Sequence, residues 1–131
     1  VQAGLRGPGS ARNSELADAK KWGSLIFPAN EVEMYGMEQV IAAIPEHSKV
    51  VFSIDVDGLD PVYAPGTGTP EVGGITTLEA HQLLRGLLGL ILIGGYVVEV
   101  APPFDITGNT ALVGATMMFE ILTLIADSNF G

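Results

Sequence analysis

Three features of the sequence predict an α/β fold, with a mainly parallel sheet between helical layers. Four strand-like segments alternate with four helix-like ones, which calls for right-handed crossovers rather than hairpins. Leu90 to Val100 is almost continuously apolar, as a strand covered on both faces must be. The chain has 131 residues, 47% of them hydrophobic and 16% charged. That suits one core-rich domain able to bury roughly two-thirds of its unfolded surface. No internal repeat, charge block or interdomain linker divides it.

In chain order, Val1 to Leu5 is a short apolar strand closed by Gly7 and Pro8. Asn13 or Ser14 is placed to cap a helix that runs to about Trp22 and stops at Gly23. Ser24 to Phe27 is a second short strand, ended by Pro28. Apolar residues at Met34, Met37, Val40, Ile41 and Ile44 have helical spacing, and Pro45 ends that helix. Lys49 to Ile54 (KVVFSI) is rich in β-branched and aromatic residues and reads as a third strand.

A long loop rich in proline and glycine follows from Gly58 to Gly74. Thr76 or Thr77 then caps a helix to about Leu88, with Glu79 in the first turn at the positive end of its dipole. Leu90 to Val100 is the fourth strand, PPFDITGN is a turn, and Thr110 to Ile125 is the last helix. The four methionines read as core residues.

Six basic against fifteen acidic residues give a net charge of −9. Nucleic-acid backbones and anionic membranes repel such a chain, whereas a cationic small molecule is steered towards it. The longest uncharged apolar run, Gly86 to Val98, is 13 residues, short of the ~20 that a spanning helix needs. No cysteine is present, which excludes disulfides, thiolate metal sites and a cysteine nucleophile. The opening VQAGLRGPGS has neither a charged nor a long apolar region, so no signal peptide is expected there. It also lacks an initiator methionine, as a processed product or a piece of a longer chain would.

Ligands of parallel α/β sheets bind beyond the carboxyl ends of strands, and KVVFSI ends there in Asp55-Val56-Asp57. Residues two apart on a strand share a face, so both carboxylates could converge on one hard cation such as Mg²⁺ or Mn²⁺. The plainer alternative is that one aspartate caps the loop and the other is solvated. Asp60, before Pro61, reads as a turn former. Glu99 ends an apolar run, where a carboxylate needs a partner. That partner is either a planar guanidinium held in a bidentate grip or an internal arginine, Arg6 or Arg85. His47 reads as solvated, and His81 has Arg85 four residues on, which is no metal-ligand pair. GTGTP lacks the spacing of a nucleotide-binding loop.

Ser53 to Thr76, SIDVDGLDPVYAPGTGTPEVGGIT, closely resembles a signature of the ureohydrolases, the arginase and agmatinase superfamily. Val97 to Ala115, VVEVAPPFDITGNTALVGA, resembles a second stretch typical of agmatinases and guanidino-acid hydrolases, and VQAGLRG resembles a leading strand. The resemblance implies a three-layer α/β/α, arginase-like fold, of which residues 1–131 would be about half, the C-terminal part of a single domain. It implies hydrolysis of a guanidino compound such as agmatine to urea and an amine, with two Mn²⁺ ions. Asp55 would correspond to a carboxylate bridging both metals, Asp57 to a ligand of one, and Glu99 to the acid that grips the substrate guanidinium. The implied partner is a small guanidino substrate, with no nucleic acid and no membrane. The implied assembly is a homo-oligomer. The favoured compartment is the cytoplasm, or the mitochondrion for a eukaryotic source.

Three departures accompany the resemblance. The GGDH-like and DAHxDxxD-like segments that supply the other metal ligands in the family do not occur in these residues. No histidine stands in a matching motif, so no complete catalytic set is expected and the chain alone should be inactive. Tyr96 occupies a position, three before the glutamate, where the family commonly has an acid. Two alternatives therefore stand beside a ureohydrolase fragment: a non-catalytic remnant or oligomerisation module, and a mononuclear metal-binding domain using Asp55 and Asp57 alone.

Overall fold

The structure, a computed structural model, describes residues 1–7 and 12–130. Four strands, β1 (Gln2–Leu5), β2 (Ile26–Pro28), β3 (Lys49–Asp55) and β4 (Ile91–Val98), alternate with helices as expected. The helices are α1 (Asn13–Lys21), α2 (Ala29–Tyr35), α3 (Glu38–Ala42), α4 (Thr77–Gly86) and α5 (Asn109–Phe130). Among the described residues all strand pairing is parallel, but the strands form two separate pairs, β1 with β2 and β3 with β4. Pro8, expected to close the first strand, lies outside the described residues.

The helix read from Met34 to Ile44 is two helices. Gly36 sits at φ +84° and breaks the chain between them, a conformation that favours a residue without a Cβ. The apolar stripe is consequently not one stripe: Val32 and Met37 are buried, whereas Met34 is exposed. The other methionine readings hold for Met37 and Met117, both in the core. At α1 the cap is Arg12 rather than Asn13 or Ser14, because the Glu15 carboxylate reaches back to accept the Arg12 N–H at 2.7 Å. Thr76 caps α4 as expected, in a reciprocal box: its hydroxyl accepts from the Glu79 N–H, and the Glu79 carboxylate accepts from the Thr76 N–H.

One core joins α3, α4, α5 and β4 through Met37, Val40, Leu84, Leu92, Met117 and Ile121. α5 lies along β4. A Cβ on Gly95 would come within 2.5 Å of the Ile121 side chain, so glycine there sets how closely helix and sheet approach. α5 is also long and apolar enough, over Asn109–Ser128, to cross a membrane by length and composition. Glu120 and the interspersed threonines keep this segment from being one uncharged apolar run. Its packed face, Met117, Ile121 and Leu124, is that of a core helix.

β3 and β4 run in register from Lys49 opposite Ile91 to Asp55 opposite Val98, with one irregularity: Val50 faces Leu92, and Val51 faces Gly94. Ile93 is therefore the extra residue of a bulge. Beyond it, Gly95 and Val97 turn to α5, while Tyr96 shares an exposed face with Val51 and Ser53. The expectation that Leu90 to Val100 is buried on both faces holds, within this chain, for one face only. Val51 and Ile93 are each 58% exposed on the other.

Candidate functional site

β3 ends at Asp55, and a single 3-10 turn, Val56–Gly58, carries Asp57. The two carboxylates meet through this turn and not through the alternation of one strand. Asp55 Oδ1 accepts the Asp57 N–H at 3.2 Å, so Asp55 does cap the loop with one oxygen. Asp57 is not simply solvated either, because its Oδ2 accepts the Thr69 hydroxyl at 2.7 Å. The Asp55 carboxyl is pushed up from 3.8 to about 6. Removal of water by the surrounding protein is the main cause, followed by a hydrogen bond with the Asp57 side chain and the negative charges of Asp57 and Glu99. The structure thus brings together all three acids singled out in the sequence. Asp55 therefore takes up a proton or a cation more readily than an isolated carboxylate does.

Glu99 follows Val98, the register partner of Asp55. Its φ is +64°, in the left-handed region, a conformation costing about 1–3 kcal/mol for a side chain of this kind and concentrated at functional sites. Glu99 is solvent-exposed. Neither arginine proposed as its internal partner is committed to it. The Arg6 guanidinium donates to the backbone carbonyls of Gly4, Asp57, Gly58, Leu59 and Glu71, and Arg85 pairs with Glu120 at 3.1 Å. Tyr96, in register with Ser53, lies on the open face of β4.

The loop behind the acids is bonded within itself. Asp60 accepts from the N–H groups of Val62, Gly73 and Gly74, which holds its carboxyl below the usual range and confirms its reading as a loop former. The Gly66 N–H donates to the Thr110 hydroxyl at 2.7 Å, and Asp105 accepts from the Thr110 and Ala111 N–H groups at the start of α5. The sequence offers Arg6 only as a partner for Glu99, not as a donor to the loop carbonyls, and it does not single out Thr69. Thr69 lies inside the quoted signature and could have been found there. Arg6 is 51 residues from Asp57, and nothing local marks it. His47 is exposed at a turn, as expected. His81 stands 3.4 Å from Glu120, away from the acids.

Hard oxygen donors and an enforced meeting of carboxylates suit a divalent cation. The set is nevertheless partial: among the described residues no group of three or more His, Cys, Asp or Glu side chains is arranged to hold a metal ion. Asp55 and Asp57 fit as a contribution to a metal site and not as a whole one.

Parallel strands with acids at their carboxyl rim make an α/β fold with a candidate cation-binding site, and comparison with known proteins gives the family. The family model described as the arginase family matches residues 1–124, and the chain belongs to that family. It is 51% identical to a guanidinopropionase of Pseudomonas aeruginosa over 98% of this chain and 41% of that protein. It is 41% identical to a mitochondrial agmatinase of Gallus gallus over 95% of this chain and 37% of that protein. Among solved structures, a proclavaminate amidino hydrolase of Streptomyces clavuligerus superposes with a TM-score of 0.88 at 34% identity, covering 97% of this chain and 43% of its own. An arginase of Bacillus caldovelox gives 0.77 at 34%, covering 91% and 41%. The chain spans about two-fifths of the length of these relatives, and its α/β architecture with parallel strands is theirs.

Proposed function

We propose that residues 1–131 are the C-terminal part of a single-domain hydrolase of guanidino compounds that releases urea and an amine. The observation that carries this reading is the convergence of Asp55, Asp57 and Glu99 at one rim, with Glu99 held in a strained backbone conformation and both candidate arginines engaged elsewhere. Glu99 is free to accept two parallel N–H bonds from a planar guanidinium, which would fix the substrate carbon over the acids. Asp55 and Asp57 would hold part of a two-manganese centre, with Thr69 restraining the Asp57 carboxylate. Bound divalent ions supply Lewis-acid activation of water at neutral pH. The arginine network from Arg6 fixes the carbonyls on either side of the acids, so little reorganisation remains when substrate arrives.

The substrate class is a small guanidino compound. Agmatine and guanidino acids are both candidates, the second supported by the 51% identity to the guanidinopropionase. The setting is the cytoplasm, or a mitochondrion as named for the chicken relative, and the complete enzyme is a homo-oligomer.

The test is a chimera in which these residues replace the matching stretch of the Pseudomonas guanidinopropionase. Urea release from guanidinopropionate and agmatine is then measured with Mn²⁺. The chimera is expected to be active, its Glu99→Ala variant inactive, and the isolated chain inactive with correct folding. An inactive but folded and manganese-loaded chimera would sink the reading and favour a non-catalytic remnant.

A further inference from the structure

We propose that Thr110 is a positioning residue of the rim: acting through Gly66, it sets where Glu99 stands relative to Asp57. This role rests on the guanidino reading, in which Glu99 grips the substrate and Asp57 the metal, but the bonds behind it do not. Thr110 is fully buried and lies in the first turn of α5. It touches none of the three acids itself.

The Thr110 hydroxyl is used in both directions. Its oxygen accepts the Gly66 N–H at 2.7 Å. It is also hydrogen-bonded to the Asp105 carboxylate, to which a hydroxyl can only donate. That carboxylate in turn accepts the N–H groups of Thr110 and Ala111, at 3.0 and 2.8 Å. The Gly66 amide therefore meets an oxygen whose hydrogen is already committed elsewhere. Gly66 itself packs directly on this turn, because a Cβ there would overlap the Cα and Cβ of Asp105. Valine has nearly the shape of threonine, but in place of Thr110 it would leave the buried Gly66 N–H unpaired.

At Gly66 two loops are joined. Its carbonyl accepts the Ala101 N–H at 2.8 Å, and close by the Asn109 side-chain amide donates to the Tyr63 carbonyl. Three residues beyond Gly66, the Thr69 hydroxyl holds the Asp57 carboxylate. Two residues before Ala101 stands Glu99, with its left-handed backbone. Such a conformation persists only where the surroundings over-determine it, and the Gly66–Ala101 bond is a restraint of that kind. One buried hydroxyl thus ties the segment that carries Glu99 to the loop that restrains Asp57. A shift of the joint would leave both acids in place on their own strands and change the distance between them.

The test compares Thr110→Val, which deletes the hydroxyl, with Thr110→Ser, which keeps it. Amide exchange is read on the 131-residue chain by mass spectrometry, without metal or substrate. Pro102 and Pro103 have no N–H, so a peptide from Glu99 to Pro103 reports chiefly on Ala101. In Thr110→Val that amide should exchange about tenfold faster, although its own acceptor is untouched, and in Thr110→Ser it should stay within about threefold of the parent. In the chimera, kcat/KM for urea release per manganese-loaded site should fall about tenfold in Thr110→Val and recover in Thr110→Ser. An Ala101 amide that keeps its parent rate in Thr110→Val overturns the proposal. So does a serine variant as impaired as the valine one. A valine chimera that loses folded protein but nothing per loaded site overturns it too, and leaves Thr110 a packing residue. If Thr110→Val does not fold, the unaltered chain decides. There the Gly66 and Ala101 amides should share one urea dependence of exchange, and two different dependences would dissolve the joint. An inactive parent chimera sinks the guanidino reading alone, and the exchange rates still decide on the joint.

Discussion

At its carboxyl end β3 passes into a loop whose polar groups are bonded within the chain. Asp57 is held by Thr69, its carbonyl by Arg6, and the return of the loop by Asp60. Four residues before Asp55 on the same strand, Val51 is 58% exposed, and the edge beside it faces an open cleft. The rim is nearly self-sufficient and the body is not. The difference teaches that the geometry of the site acids depends on short side-chain to main-chain bonds, whereas the sheet depends on layers that only a longer polypeptide can supply. An exposed edge beside a bare apolar face invites association. The isolated chain is therefore expected to sediment as oligomers, and a clean monomer by light scattering with cooperative unfolding would break the comparison.

The largest contrast lies between the two faces of the β3–β4 sheet. Ile121→Ala, at a fully buried position against Gly95, should cost about 2–5 kcal/mol. Ile93→Ala on the bare face should stay within about 0.5 kcal/mol, both measured by urea unfolding at a concentration low enough to keep the chain monomeric. Equal losses would mean that the bare face is covered in solution. Next, Arg6→Met removes charge-assisted bonds to the loop carbonyls and should cost about 1.5–3 kcal/mol, while weakening Mn²⁺ binding by calorimetry. Unchanged binding would show that the acids need no support from β1. Thr76→Ala removes the cap of α4 and should cost about 1 kcal/mol, with no effect on the metal, since it lies outside the rim.

The smallest effect is a slope. The Asp60 carboxyl is lowered by its bonds from Val62, Gly74 and Gly73. Its contribution is therefore present above the unfolded value and lost as pH falls through the lower folded one. Comparing Asp60→Asn with the parent chain, the stability difference should shrink on acidification below about pH 4. A difference that stays constant with pH would remove Asp60 from the loop account.

Much of this was legible in the sequence because it is local. KVVFSI, the Thr76–Glu79 cap and the Asp55-Val56-Asp57 strand end each announce themselves within a few residues. Asp60 did so through the proline that follows it. The misreadings come from effects that need a neighbour or a backbone angle. Gly36 split a helix whose apolar spacing looked continuous, and Glu15 moved a cap to Arg12. Arg6 reaches the site only through the fold, at a separation of 51 residues. The positive φ of Glu99 has no signature in the residue type, because glutamate does not favour it.

The extra residue at Ile93 has a consequence for what the gene can tolerate. Before it, even-numbered side chains of β4 point to the core, and after it odd-numbered ones do. Deleting Ile93 together with the bulge would leave every later side chain on its present side. Keeping that residue and pairing the strand regularly would act on it as a frameshift acts on a message. Each position downstream would keep its identity and exchange its side, sending Tyr96 inward and Val97 outward. The eight residues of β4 therefore keep their sides only while the count of residues and the bulge agree, and the count is itself part of the information.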